Sequence, residues 1–347
     1  MRAFVLAMLL LGAALLALVV RETDLSEVAA RLRDVGPGAA AAVFGAYFLG
    51  FPGRALAWQL TLPQIPLTPR WLYRAWKMTM FSCALDRVTP LGGLGGEPVK
   101  AVLLKRDFGV RYRDATASLV VSRTTDVMAQ VVFIAIGFLL LLGIPGIPHA
   151  YRLGAGLGLA GFALAVLLFF VAQRWRALAP IRRWIVSGHL RCPRLGHRAL
   201  AALDALGDVE EALVVFYRDQ RGRLAASLTA SFCEWMTGAV AAYLAVNALG
   251  HPIGFADALA IESFVVLVRS ALFFVPADVG TQEGSLVLVC GAVTGSPALG
   301  LALAAIRRAA DLLWIAWGLA IGGVYSLRGA TRAEVEPASG HRSEDGA

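Results

Sequence analysis

Apolar runs long enough to cross a lipid bilayer recur from one end of this sequence to the other. Six read as full spans, at about 3–20, 39–62, 115–143, 153–173, 223–249 and 299–325. A helix needs roughly 20 apolar residues to cross hydrocarbon about 30 Å thick. Two further apolar stretches, 71–106 and 257–294, are interrupted by proline, glycine and acid, in PLGGLGGE (90–97) and PADVGTQE (276–283). Those breaks predict helical hairpins that dip into the bilayer and leave on the side they entered. The pattern therefore predicts an all-α polytopic membrane protein of about six full spans plus two re-entrant helical hairpins. Between spans, 174–222 is the one sizeable insert. Its Leu200, Leu203, Leu206, Leu213 and Phe216 follow a helical stripe, which predicts a helix packed on the bundle or on the inner membrane surface. The polar, Gly- and Ser-containing end, 327–347, is expected to be a disordered tail.

Composition agrees with the pattern. Of 347 residues, 58% are hydrophobic and 16% charged, and mean hydropathy is +0.67; soluble domains run at about 45–50% apolar and about 25% charged. The net charge of +8 sits in Arg/Lys clusters between the apolar runs. It suits loops facing anionic lipid, not nucleic acid. Cys83, Cys192, Cys233 and Cys290 are scattered without a CxxC, and the histidines are dispersed too. Neither a disulfide framework, a metal centre nor any other cofactor is expected. The first apolar run is long and has no clear small-residue cleavage site before RETD, so it is expected to be a retained helix.

Arginine and lysine placement orients the spans. Loop 98–114 carries Lys100, Lys105, Arg106, Arg111 and Arg113, and the 174–222 insert is rich in arginine. Loop 144–152 has only Arg152, and loops 250–256 and 294–298 have no Lys or Arg. The positive-inside rule puts the first two in the cytoplasm and the last three outside. The first hairpin then enters from the cytoplasm, the second from outside, and both termini are cytoplasmic.

The two broken stretches belong to a repeat. Pro90 and Glu97 match Pro276 and Glu283 at an offset of 186, and Arg123 and Asp126 (SRTTD) match Arg308 and Asp311 (RRAAD) at an offset of 185. The chain thus divides into a transmembrane domain, 1–326, of two halves, about 1–143 and 153–326. Three full spans per half make the second half inverted relative to the first, a signature of membrane transport folds with broken helices near the midplane.

Chemistry follows from that geometry. Pro90, Gly92, Gly93, Gly95, Gly96, Pro276 and Gly280 are the expected hairpin tips, where the chain must reverse tightly and bury its free backbone groups in protein or water. Each R-x-x-D presents two charges on one helix face. Fourteen charges fall at membrane depth: Arg54, Asp86, Arg87, Glu97, Arg123, Asp126, Glu234, Glu262, Arg269, Asp278, Glu283, Arg307, Arg308 and Asp311. Left facing lipid at roughly 2.5–3.5 kcal/mol each, they would cost about 35–50 kcal/mol. They must pair, snorkel or line a hydrated cavity. Plainer readings stand beside a functional one. Arg54 and Arg307 can snorkel, Asp86 and Arg87 can be solvated at a hairpin entrance, and Glu97 and Glu283 can each brace a hairpin against an arginine. Trp58, Trp71, Trp76 and Trp314 read as interface anchors.

LGGLGGEPVKAVLLKR, SRTTDVMA, VPADVGTQEGSLVL and AIRRAADLLW together resemble the flippase-like membrane-domain family, best known as the N-terminal half of bifunctional lysylphosphatidylglycerol synthase/flippases. The resemblance spans roughly residues 5–325, and PADVGTQEG is similar to the branch associated with hopanoid biosynthesis. It implies a multi-pass bacterial inner-membrane protein that handles a polar-headed lipid of phospholipid or hopanoid type. The bifunctional proteins continue into a soluble aminoacyl-transferase domain, whereas this sequence stops after a short tail, so no aminoacyl transfer is expected.

The leading expectation is lipid translocation, or assistance to it, with Glu97, Arg123, Asp126, Glu283, Arg308 and Asp311 lining a headgroup cavity between the inverted halves. With no G-x-x-x-x-G-K-[ST], ATP is not the direct driver. The rival is an intramembrane enzyme or an accessory subunit of a lipid-biosynthetic complex: paired carboxylates suit acid–base chemistry, but no nucleophile–histidine arrangement accompanies them. Expected partners are membrane lipids and, for the rival, lipid-biosynthetic proteins.

Overall fold

The computed structural model describes residues 35–88, 96–143, 149–174, 211–272 and 278–335, with a few isolated positions besides. The expected span at 3–20, most of the 174–222 insert, and the tip residues Pro90, Gly92, Gly93, Gly95 and Pro276 lie outside the described residues. Within them the chain is all-helical, with no strand.

The long helices follow the apolar runs. They are α1 (Pro37–Leu60), α4 (Tyr112–Gly143), α5 (His149–Arg174), α6 (Arg221–Ala248) and α9 (Pro297–Val335). Pro37 and Pro297 each open a helix, where a missing N–H costs nothing and the fixed φ suits the first turn. The two interrupted stretches each become a pair of shorter helices: α2 (Pro69–Val88) with α3 (Glu97–Phe108), and α7 (Phe255–Ala271) with α8 (Thr281–Thr294). The breaks fall at the Gly/Pro segments. α9 runs past 327, where a tail was expected to begin. Its Arg-Ala-Glu end favours helix, and Pro337 two residues beyond is a stop signal.

Among the described residues, α1 and α4 are long and apolar enough to cross a membrane by length and composition. α5 leaves Leu153, Leu157, Leu164, Leu167 and Leu168 exposed. An apolar surface that extensive marks an interaction face or a lipid face, not an ordinary solvated one.

Packing joins the halves. α1 lies along α6, where Gly50 faces Thr237 and Gly53 faces Glu234. α2 packs on α9 and α7 on α4; α3 packs on α4 and α8 on α9; α1 and α2 are neighbours, as are α6 and α7. Exchanging α1, α2, α3 and α4 for α6, α7, α8 and α9 therefore sends each of these neighbours to another neighbour. The match is incomplete: α4 packs along α6, whereas α1 and α9 meet through side chains, Phe48 against Trp314 and Trp317, beside a groove of about 220 Å³ lined by Val43, Phe44 and Ile306.

Small residues permit the closest approaches. A Cβ on Gly318 would stand 2.5 Å from the Met80 carbonyl oxygen, and one on Gly322 would overlap the Phe81 ring. Gly318 and Gly322 form a G-x-x-x-G that seats α9 directly against α2. On α4, a Cβ on Gly137 would overlap Ser263 of α7. Gly137 and Gly322 are 185 positions apart (322 − 137), the same offset as the two R-x-x-D motifs. Buried Leu286, Leu299, Leu303 and Ile261 centre one core cluster on α7, α8 and α9, while Trp58, Met78 and Leu104 centre another on α1, α2 and α3. Each broken pair is thus held in a core.

Candidate functional site

The second broken pair carries the densest charge. After Ala271 the chain turns, Asp278 adopts a left-handed φ of 53°, and Gly280, at φ 78°, opens α8. A left-handed residue reverses the chain sharply, which is why glycine stands at 280. The Gly280 N–H donates to Glu283 Oε2 at 2.8 Å, a carboxylate cap on the first turn that also suits the helix dipole. The other Glu283 oxygen accepts from Arg308 Nε of α9 at 2.8 Å, and Arg308 Nη2 donates to the Asp278 carbonyl at 3.1 Å. Arg269, at the end of α7, donates to Asp278 Oδ2 through Nη2 at 2.6 Å and Nε at 2.9 Å.

Arg87, on the first broken pair, completes the group. Its Nη1 lies 3.3 Å from Asp278 Oδ2 and 3.7 Å from Asp311 Oδ2 of α9. One arginine of α2 therefore ties the α7–α8 turn to α9. Three arginines and three carboxylates balance here, and all but Glu283 keep a partly accessible side chain. Mutual pairing of this kind offsets the cost of placing charges at membrane depth.

The first broken pair uses the same device differently. The Gly96 N–H donates to Asp86 Oδ1 at 2.7 Å, so the capping carboxylate comes from the first arm, not the second. A Cβ on Gly96 would overlap the Ser82 carbonyl, which reserves the position for glycine. Glu97 pairs with Lys100 Nζ at 3.0 Å, and Lys100 lies over the Trp58 ring at 5.1 Å. Trp58, expected as an interface anchor, is instead buried, and its indole N–H donates to Ser118.

The two R-x-x-D motifs also diverge. Arg123 and Asp126 pair with each other at 3.0 Å, and Trp235 of α6 donates its indole N–H to Asp126 Oδ1 at 3.1 Å. In the second motif, Arg308 and Asp311 reach outward, to Glu283 and to Arg87. The structure thus gathers Glu283, Arg308 and Asp311 into one group, while Arg123–Asp126 and Glu97–Lys100 form separate pairs. Sequence reasoning left Arg87 as a solvated entrance residue, and gave Arg269 and Asp278 no role. Their signal was only their charge at membrane depth.

Of the fourteen charges at expected membrane depth, thirteen form ion pairs: Arg54–Glu234, Arg87–Asp278, Arg87–Asp311, Glu97 with Lys100, Arg123–Asp126, Arg269–Asp278, Arg307–Glu262 and Arg308–Glu283. The fourteenth, Asp86, accepts the Gly96 N–H. Arg54 and Arg307 do not snorkel alone. The Arg307–Glu262 pair is 5% and 7% exposed, and Arg307 also donates to the Tyr47 hydroxyl at 3.1 Å; burial that complete fits a brace. Gln282, in the first turn of α8, is fully buried with neither amide atom partnered among the described residues. No group of His, Cys, Asp and Glu suited to a metal occurs among the described residues.

A family model described as the lysylphosphatidylglycerol synthase TM region matches residues 5–318. The chain belongs to that family. It is a membrane protein, as are the UPF0104 membrane proteins it resembles. One, from Pyrococcus horikoshii, is 24% identical over 257 residues, 70% of this chain and 73% of the relative. Another, from Methanothermobacter thermautotrophicus, is 23% identical over 238 residues, 67% of this chain and 69% of the relative. No solved structure matches the chain. Membership of the lysylphosphatidylglycerol synthase TM-region family accounts for the exposed leucines of α5 as a lipid-facing surface and for the near-complete pairing of charges within the bundle.

Proposed function

We propose that this protein moves a polar-headed lipid across the membrane, or assists that movement, and that Glu283, Arg308, Asp311, Arg87, Arg269 and Asp278 form the part of the path that meets the headgroup. The observation that carries the reading is the Arg87 bridge. It ties the two broken helix pairs together through accessible charges that a lipid headgroup can compete for, while acyl chains remain in the bilayer. The exchange of neighbours between α1–α4 and α6–α9 and the shared 185-residue offsets support two inverted halves, with α2–α3 and α7–α8 as re-entrant hairpins entering from opposite faces. Glu97, Arg123 and Asp126 belong to the same path on the side of the first hairpin. The bacterial inner membrane, with both termini cytoplasmic, is the setting that the loop charges support.

The second reading, an intramembrane enzyme or an accessory subunit of lipid biosynthesis, draws on the closely spaced carboxylates Asp278, Glu283 and Asp311. Every one of them is engaged by an arginine, an arrangement that supports pairing within the bundle more than a free acid and base. Purified protein reconstituted with the lipids that co-purify with it separates the two. Under the transport reading, the lipid changes leaflet and its mass stays the same. A change in lipid mass, without partner proteins and without movement, would favour the enzyme.

A further inference from the structure

We infer that Asp278 is an internal stand-in anion, seated in an arginine cradle whose proper ligand is a phosphate group, and that the phosphate of a phospholipid headgroup displaces it. This rests on the lipid-handling reading above and names the chemical class of the headgroup. Three arginines from three different helices converge on this one residue: Arg87 of α2, Arg269 of α7 and Arg308 of α9. Arg269 Nε, Arg269 Nη2 and Arg87 Nη1 all point at the same oxygen, Oδ2, while Arg308 Nη2 donates to the backbone carbonyl and Nε to Glu283. A lone carboxylate oxygen underuses that set of donors. A phosphate offers several anionic oxygens in a tetrahedron and matches guanidinium forks bidentately.

The backbone adds an independent observation. Asp278 is the one non-glycine residue with positive φ among the described residues. In the 186-residue register of the repeat it stands where the first hairpin has Gly92 (278 − 186). A glycine conformation at a glycine position has thus been given a carboxylate, which aims an anion at the arginines. The cradle is reachable: the side chains of Arg87, Arg269 and Arg308 are 30%, 24% and 28% exposed. Gln282, four residues on, has a buried amide with no partner among the described residues, a further polar group close in sequence to Asp278. Arg307 contrasts with the three. It is sealed against Glu262 and Tyr47, so it cannot exchange partners with anything entering from the bilayer.

The test uses the full chain in a phosphate-free detergent, with the melting temperature read during titration. The probes are didecanoyl phosphatidylglycerol, didecanoylglycerol with the same chains but no phosphate, and inorganic phosphate. Phosphatidylglycerol should raise the melting temperature and didecanoylglycerol should not. Asp278→Asn should bind phosphatidylglycerol more tightly, by at least about tenfold, because the competing internal anion is gone. Arg269→Gln should bind about tenfold more weakly or worse. Equal or weaker binding by folded Asp278→Asn would overturn the inference. If Asp278→Asn does not fold, Arg269→Gln decides, and unchanged affinity there overturns it as well. Inorganic phosphate that protects as well as the lipid would support the cradle and assign it a free anion. Loss of these binding effects with lipid movement intact rejects this inference alone; binding as expected without lipid movement rejects the transport reading alone.

Discussion

Arg87 and Asp278 lie 191 positions apart in the chain and meet at 3.3 Å, joining the two broken helix pairs through a single ion pair. Neither residue lies in a full span. Each sits at the edge of a Gly/Pro interruption, so the bridge connects the two places where the helical framework is deliberately open. Arg87 shares its charge between Asp278 and Asp311, and Asp278 in turn answers Arg269. Arg87 and Asp278 thus each hold two charged partners, Arg308 joins the group through Glu283 and the Asp278 carbonyl, and such networks couple their members beyond pairwise sums.

A double-mutant cycle measures that coupling. Arg87→Gln and Asp278→Asn, alone and together, should show an interaction of about 0.5–3 kcal/mol in detergent unfolding. Additive losses would mean that the pair contributes proximity without energy.

Glu262→Gln should behave as a structural lesion. It leaves Arg307 charged in a site 5% exposed, and breaking a buried pair from one side costs about 3–5 kcal/mol. The yield of folded protein and its melting temperature should fall sharply. Replacing Glu262 and Arg307 together by apolar residues should recover much of the loss. A Glu262→Gln protein as stable as wild type would remove this pair from the framework.

Gly318→Leu should pry α9 from α2, since even a Cβ there meets the Met80 carbonyl at 2.5 Å and the Ala84 side chain at 2.7 Å. Overpacking of this kind costs about 1–3 kcal/mol. It should also weaken the Arg87–Asp311 contact, and the melting temperature in detergent should fall accordingly. A Gly318→Leu protein as stable as wild type would contradict the α2–α9 approach.

Much of this architecture was legible in the chain. Apolar runs at 39–62, 115–143 and 223–249 became Pro37–Leu60, Tyr112–Gly143 and Arg221–Ala248, because period and length report burial directly. The breaks at PLGGLGGE and PADVGTQE were legible because proline and glycine clustered over a few residues weaken a helix together, where a single one within a helix is tolerated. What the sequence could not show is who pairs with whom. The i, i+3 spacing of R-x-x-D permits an internal pair, as Arg123 and Asp126 make, and equally permits two outward contacts, as Arg308 and Asp311 make. The choice depends on which helix lies opposite. The G-x-x-x-G of Gly318 and Gly322 was a readable signal for that neighbour, and Arg87 became a bridge only once α2 was seated there.

Orientation is open to direct chemical test. With Cys83, Cys192, Cys233 and Cys290 replaced by serine or alanine, Arg111→Cys should label from the cytoplasmic side and Ser296→Cys from the outside, since the segments near them differ in positive charge. Labelling of both from one side would refute hairpins of opposite entry.

The central claim is that the charged group at the second hairpin works on lipid and does more than brace the fold. Its most direct measurement compares wild type with Glu283→Gln in proteoliposomes carrying a headgroup-labelled form of the co-purifying lipid, with quencher added outside. The glutamine keeps an oxygen for the Gly280 N–H and removes the charge that holds Arg308. Wild type should expose inner-leaflet label to quencher well above protein-free vesicles, and folded Glu283→Gln should do so about tenfold more slowly or worse, since an interaction with a charged partner is worth roughly 1.5–3 kcal/mol. Movement by folded Glu283→Gln at the wild-type rate, or none by wild type itself, would contradict the account.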